Sequence, residues 1–303
     1  MKQRYSDEHA RFLTYLKAVG TGPKGNRDLT REELHDAFDL ILGHAVPPET
    51  IGAFLVGWRV KRETTEELRG AVAAIKGQLR HSHPLEGVEL GYPMDGKIMT
   101  APVMLKSAEL LSPLKVHVAG DDRQSPKFGY NPKQFHEEMG FADNVNYHER
   151  RIFAPELSRL TPLRNNLGLR SAVNTIEKLN FLAPAALIGM HHAPYFDLYA
   201  ELYAPHYDRL LIVQGNEGSP EVLKKAKMVL VENGERQNIS IDPEAFGITP
   251  LVNCDESTIE QMCHQLEHPD ENLQKLILLN AAIIGFAAGT FESVEIGYNT
   301  LTK

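Results

Sequence analysis

Cysteine is almost missing, since Cys254 and Cys263 are the only two in 303 residues. They fall outside Cys-x-x-Cys spacing and no second cluster supports them, so neither a disulfide framework nor a zinc site is expected, only reduced bystander thiols. Long apolar runs are missing as well. No segment approaches the ~20 residues that a bilayer-spanning helix needs, and Met1-Lys2-Gln3-Arg4-Tyr5-Ser6-Asp7 lacks the apolar stretch of a secretory signal. No membrane partner is therefore expected, and a cytoplasmic location is. Positive charge is in deficit, with 32 Lys and Arg against 40 Asp and Glu and a formal charge of −8. That balance disfavours a chain that binds nucleic acid over its whole surface, although a local basic groove is compatible with an acidic total. Gly-x-Ser-x-Gly elbows, Walker loops and Rossmann fingerprints are absent. His81-Ser82-His83 and His191-His192 have no carboxylate or cysteine at a supporting spacing and read as surface or loop histidines rather than metal ligands.

The length suits one large domain or two modest ones with a sizeable core. Apolar residues at helical spacing predict a helix from Glu8 to Val19, in which Phe12, Leu13, Leu16 and Val19 share a face. Thr30-Arg31-Glu32-Glu33 is a capping box for a second helix burying Leu34, Ala37, Phe38 and Ile41. Pro47-Pro48 opens a third that runs through Arg62 with Ile51, Phe54, Leu55 and Trp58 inward, and Thr64 to Glu67 caps a fourth. Gly52 and Gly57 weaken the third helix unless another helix approaches closely there. Those apolar faces form either a simple bundle core or, in part, a dimer seam.

Beyond Gly87 short β-branched runs alternate with helical stretches, which predicts an α/β fold with a mainly parallel sheet. Strands are expected at Lys115 to Ala119, Ala185 to Met190 and Arg209 to Gln214. Helices are expected around Ala101 to Leu111, Pro132 to Met139, Leu163 to Leu179, Tyr195 to Leu202 and Asp270 to Ala288. Asn233-Gly234, flanked by Met228 to Val231 and Gln237 to Ile241, predicts a hairpin because both residues tolerate positive φ. With no internal repeat or low-complexity tract, the reading is a helical domain over 1–85, joined by helices from about 150–180, and an α/β domain over 86–303.

Gly91-Tyr92-Pro93-Met94-Asp95-Gly96 has the frame of a glycine-rich phosphate loop with its central glycines replaced. A loop that cradles phosphates needs inward N–H groups and empty space; Pro93 has no N–H and Met94 is bulky. The same residues read equally as a surface turn on Asp95-Gly96.

Several segments together resemble the anthranilate phosphoribosyltransferase family, glycosyltransferase family 3. They are Ala37-Phe38 through Ile51-Gly52-Ala53-Phe54-Leu55 to Lys61, Phe153-Ala154-Pro155, Arg164 to Asn174, Gly215 to Glu221, Asp242-Pro243 with Phe246-Gly247, and Leu279-Asn280-Ala281-Ala282. The resemblance implies a small helical domain, usually dimerising through its helices, next to an α/β domain, and a site that holds phosphoribosyl pyrophosphate and Mg2+ between them. It also implies which residues to test. The family's Gly-Thr-Gly-Gly-Asp-Gly loop falls on Gly91 to Gly96, keeping Gly91, Asp95 and Gly96, with Lys97 next to it. The following Asn-x-Ser-Thr falls on Ala101, Val103 and Met104. Lys-His-Gly-Asn-Arg and its paired serines fall on Val118 to Asp122, including Gly120, and on Ser125-Pro126. The acidic pair that holds magnesium falls on Pro220 and Glu221, with Glu217 a turn earlier as the replacement carboxylate, or else as part of a polar loop. Arg164, accompanied by Arg170, stands where the family meets its acceptor's carboxylate, which a guanidinium suits, although a helix-face arginine also serves as a salt-bridge partner.

These losses resemble a divergent branch in which a Gly-x-Glu-Gly-x-Pro segment, here Gly215 to Pro220, replaces the acidic motif and some members bind nucleic acid. On that reading Lys224, Lys225 and Lys227 meet phosphates together with Arg123, Lys127, Arg150 and Arg151; the alternative is a solvated lysine-rich turn. The expectation is a homodimer that binds a phosphate-bearing ligand or nucleic acid. The alternative is a working magnesium-dependent pentosyltransferase with a changed acceptor, using Asp95, Glu217 and Glu221 around the metal and Arg164 for the acceptor.

Overall fold

The computed structural model describes residues 5–81, 84–251 and 255–303. The chain opens with four helices: α1 (Asp7–Gly20), α2 (Arg31–Leu42), α3 (Pro48–Lys61) and α4 (Thr65–Gly77). Then come β1 (Val88–Gly91), α5 (Val103–Glu109), β2 (Val116–Gly120), α6 (Pro132–Met139) and β3 (Val145–Glu149). Four short helices follow, α7 (Arg150–Phe153), α8 (Pro155–Ser158), α9 (Thr161–Leu167) and α10 (Val173–Ile176). The remainder is β4 (Ala185–Met190), α11 (Tyr195–Tyr203), β5 (Arg209–Gln214), β6 (Ala226–Glu232), β7 (Glu235–Ile241), α12 (Ile259–Glu267), α13 (Glu271–Ala287) and α14 (Val294–Leu301). Two compact units divide these elements: a helical one of residues 1–80, 124–126 and 150–177, and an α/β one of 81–123, 127–149 and 178–303.

In the helical unit both predicted capping boxes form, Thr30 with Glu33 and Thr64 with Glu67. Glu67 does more than cap. Fully buried, it accepts the Leu29 amide at 2.8 Å and the Trp58 indole N–H at 3.1 Å, and Lys61 neutralises it at 3.0 Å. Around it Phe12 meets Phe54 at 5.1 Å and Phe38 meets Trp58 at 5.7 Å between ring centroids. The glycines of α3 are contact points, since a Cβ on Gly57 would lie 3.3 Å from the Gly20 backbone and one on Gly52 3.2 Å from Leu167. The single helix expected over Leu163 to Leu179 is broken. Gly168 takes left-handed backbone (φ 63) and caps α9 by donating to the Arg164 and Asn165 carbonyls, so the chain restarts as α10.

The α/β unit is built on a seven-stranded sheet in the order β3-β2-β1-β4-β5-β6-β7. The first five are parallel, and β6 and β7 add antiparallel as the predicted hairpin, with Asn233 (φ 52) and Gly234 (φ 78) at its turn. From Leu279 to its end every residue of α13 is buried, and Asn280 inside it is satisfied by the Val222 backbone on both sides, donating at 3.1 Å and accepting at 2.9 Å. Two strands escape sequence reading. The β1 strand is four residues long and carries the fully buried Glu89, whose carboxylate is matched by the Asn180 and Leu182 amides and the Tyr207 hydroxyl. The β3 strand is half polar because it is an edge. Cys263 is buried, and burial raises its thiol pKa to about 11, an inert thiol; Cys254 lies outside the described residues. No described helix is long and apolar enough to cross a membrane.

Between β2 and β3 the His117 Nδ1 and His148 Nε2 lie 3.0 Å apart, within hydrogen-bond distance, and the other nitrogen of His117 faces the Glu86 carbonyl at 2.9 Å. Burial first, then the neighbouring His117 and His81, lowers the pKa of His148 to about 4. An unfolded histidine, at about 6.5, takes up a proton sooner, so this pair stabilises fully above about pH 6.5 and loses its effect as pH falls towards 4. His148→Gln is expected to flatten the fall in melting temperature over that interval; an unchanged slope would remove His148 as its source.

Candidate functional site

Strands β1 and β4 are neighbours although β2 and β3 separate them in sequence, so the sheet grows outward from this pair in both directions. At such a reversal the loops leaving the carboxyl ends of the two central strands part, and open α/β sheets place ligands in the crevice between them. Here the loops start at Gly91 and Met190, and the Gly215 to Glu221 segment follows β5.

The first loop is filled by its own residues. Tyr92, Met94 and Lys97 are buried, and Asp95 nearly so. Gly96 (φ 77) donates its amide to the Pro93 carbonyl at 3.0 Å, and Lys97 exchanges backbone hydrogen bonds with Tyr130 at 2.9 and 2.8 Å. A Cβ on Gly96 would strike the Gly129 backbone, so the glycine serves chain packing rather than phosphate access. At the centre the Lys97 ammonium lies 2.7 Å from Glu221, with 1% and 0% of the two side chains exposed. Tyr92 donates its hydroxyl to the other oxygen of Glu221 at 2.5 Å, and the Ser219 hydroxyl donates to the same carboxylate. Burial, then the negative Glu221, keeps Tyr92 protonated far above the usual phenol range.

Glu217 is the second carboxylate, and five donors converge on it. The amides of Ile98, Met99 and Thr100 lie at 3.1, 3.1 and 3.2 Å, the Thr100 hydroxyl at 3.2 Å and the Lys127 ammonium at 2.9 Å. Burial pushes the Glu217 pKa up, but Lys127 and the Ile98 amide override it and hold the group below the ordinary glutamate value. Tight loop packing needs the neighbouring glycines: a Cβ on Gly189 or Gly215 would run into the Ser219 carbonyl. Lys178 pins the loop by donating to the Gly189 and Gly218 carbonyls at 2.8 and 2.7 Å. Neither Tyr92, Lys178 nor Ser219 carries a spacing signal in the sequence.

The basic residues scatter. Lys224, Lys225 and Lys227 are exposed, which phosphate contacts and a solvated lysine-rich turn both require. Lys225 pairs with Asp242 at 3.4 Å, while Lys227 and Arg236 help line a cavity of about 540 Å³ beside Phe196 and Met228. Burial first, then His192 and the charges of Lys224, Lys127 and Lys178, lower the pKa of His191. Arg123 is exposed and stacks 4.7 Å over Tyr130. Gly120 does not line an open loop; a Cβ there would lie 2.5 Å from the Lys133 amide.

Two arginines require correction. In the helical unit Arg150 and Arg164, expected as a phosphate contact and an acceptor clamp, are fully buried on one carboxylate, Glu177. Arg164 grips it bidentately at 2.7 and 2.7 Å and Arg150 adds a third bond at 2.6 Å. Arg170 and Arg151 are exposed, and the Ser125 amide is taken by Asn165 at 2.8 Å. Glu177 belongs to no expected motif.

Among the described residues no three His, Cys, Asp or Glu side chains gather as metal ligands. His81 faces the Asn180 carbonyl at 2.9 Å, and Ser82-His83 lie outside the described residues. Magnesium does not fit Glu217 and Glu221: their oxygens already accept amides, hydroxyls and ammonium groups, and a lysine stands where a dication would have to sit.

Residues 13–77 match the model of the glycosyl transferase family, helical bundle domain. An uncharacterised protein of Aquifex aeolicus is 31% identical over 295 residues, 91% of this chain and 93% of its own length. The anthranilate phosphoribosyltransferase of Neisseria meningitidis serogroup C is 26% identical over 308 residues, 90% of this chain and 86% of that one. In fold, the Saccharomyces cerevisiae anthranilate phosphoribosyltransferase in complex with PRPP and Mg matches with a TM-score of 0.73 at 15% identity, over 96% of this chain and 92% of that chain.

Proposed function

The chain belongs to the anthranilate phosphoribosyltransferase-like family, glycosyltransferase family 3, and from that membership we propose a divergent member that no longer transfers phosphoribose to anthranilate. It binds a phosphate-bearing ligand instead, nucleic acid foremost. One observation carries the loss of the transfer reaction: Glu221, at the family's metal position, and Glu217, a turn earlier as its replacement partner, are both taken up by donors of the same chain. A transferring pentose needs its pyrophosphate neutralised and oriented, and Tyr92, Met94 and Lys97 fill the loop that would do it. The buried Arg164 is likewise taken by Glu177, which leaves no guanidinium face there for an aromatic acid.

Support for nucleic acid is the exposed Lys224, Lys225 and Lys227 with the exposed Arg123 in an otherwise acidic chain. The chain is expected to shift a single-stranded oligonucleotide in a salt-dependent manner. Replacing Lys224, Lys225 and Lys227 by alanine is expected to lower the log–log salt slope by about 2, at roughly 0.7 per phosphate contact. An unchanged slope rejects the lysines, and magnesium-dependent release of pyrophosphate from phosphoribosyl pyrophosphate would restore the transferase reading. Self-association through the N-terminal helices belongs to the same proposal, and a monomeric mass by light scattering on that sample removes it.

A further inference from the structure

Three consecutive amides that face one point are uncommon in a loop, because successive N–H groups ordinarily diverge. At Ile98, Met99 and Thr100 they converge, joined by the Thr100 hydroxyl and the Lys127 ammonium. Such an arrangement is a nest, a concavity of positive potential that takes an anion. Its occupant is Glu217, delivered from a segment 119 residues away in sequence.

The delivery is made against backbone preference. Glu217 has φ 52 and Gly218 φ 83, so a glutamate stands in the left-handed region that normally falls to glycine or asparagine. Asn216 ties the same loop down by donating its side-chain amide to the Thr100 hydroxyl at 3.0 Å. Strain of this kind persists only where the surroundings over-determine it, and here the surroundings are the donors of the nest. Access is not closed, since Lys127 keeps 21% of its side chain exposed and Glu217 8%.

We infer that the Ile98 to Thr100 amides, the Thr100 hydroxyl and Lys127 form a binding site for a phosphate or sulfate group, and that Glu217 is an internal plug which holds it shut. A phosphate presents the same pair of oxygens as the carboxylate, with a third to spare and a larger charge, so it satisfies the donors at least as well once the plug is out. Lys224, Lys225 and Lys227 are not among these donors, so the inference stands or falls apart from nucleic-acid binding.

Glu217→Gly decides it, because glycine relieves the left-handed backbone while removing the carboxylate. By calorimetry with inorganic phosphate and with sulfate, E217G is expected to bind one anion per chain, roughly tenfold or more tighter than the unaltered protein. Adding Lys127→Ala to E217G is expected to return the affinity to that of the unaltered protein. A folded E217G that binds no tighter overturns the inference, and so does binding indifferent to K127A. Should E217G fail to fold, the unaltered chain decides by amide resonances. Those of Ile98, Met99 and Thr100 are expected to move together under high inorganic phosphate and to stay still in K127A, and still resonances in the unaltered chain reject the site.

Discussion

Glu177→Ala is expected to destabilise the helical unit by roughly 3–5 kcal/mol, the usual result of removing one partner from a buried ionic cluster. The reason is what stays behind. Arg150 and Arg164 are fully buried, and the substitution takes away the carboxylate that both guanidinium groups share. Trp58 is the chain's single tryptophan and lies in the core of this unit, so its fluorescence during urea unfolding reads the loss directly. A loss under about 1 kcal/mol would show that the cluster is not buried as described. Replacing all three members with methionine is expected to recover much of the stability, because well-packed apolar groups avoid the desolvation that the ions suffer. Acid acts on the same cluster. Burial raises the Glu177 pKa, yet Arg164 and Arg150 more than reverse this and hold it below the ordinary glutamate value. With the folded value depressed, the contribution is complete above about pH 4.3 and disappears as pH falls through the folded pKa.

Lys97→Met is expected to cost the α/β unit a similar amount, roughly 3–5 kcal/mol, while keeping the aliphatic stem in place. Glu221 would keep its hydroxyl donors from Tyr92 and Ser219 and lose its ion pair with Lys97, inside a site where neither side chain reaches solvent. Adding Glu221→Gln is expected to recover part of the loss, and the double-mutant cycle isolates the coupling between the two. Hydrogen exchange of the central strand amides follows this unit without interference from the other. If K97M matched the unaltered chain within about 1 kcal/mol, Glu221 would have found another cation or water, and the description of a dry, self-neutralised loop would be wrong.

The elements that carry local signals were legible in the sequence. Thr30, Thr64 and the Pro47-Pro48 pair mark helix starts that the structure reproduces, and Asn233-Gly234 marks the hairpin. The alternation of β-branched runs with helical stretches beyond Gly87 marked the mainly parallel sheet, and several motifs in order identified the family. What stayed hidden depends on residues far apart in the chain. Lys97 meets Glu221 across 124 positions and Ile98 meets Glu217 across 119, so no spacing rule pairs them. Read alone, Glu217 and Glu221 look like metal ligands, and Arg150 and Arg164 look like anion readers. Only the fold reveals that each is already satisfied. Strand β1 was hidden for a related reason: Glu89 breaks its apolar run, and its donors at Asn180, Leu182 and Tyr207 come from distant segments.

A carboxylate carried on the loop it fills cannot be diluted away. Glu217 faces its amides at a local concentration on the order of millimolar or above, whatever the protein concentration, because the chain itself is the tether. Chloride, acetate and other weakly held ions lose that contest by entropy alone. Entry is left to species with several negative oxygens or with further contacts elsewhere, which makes the tether a selectivity filter requiring no moving domain.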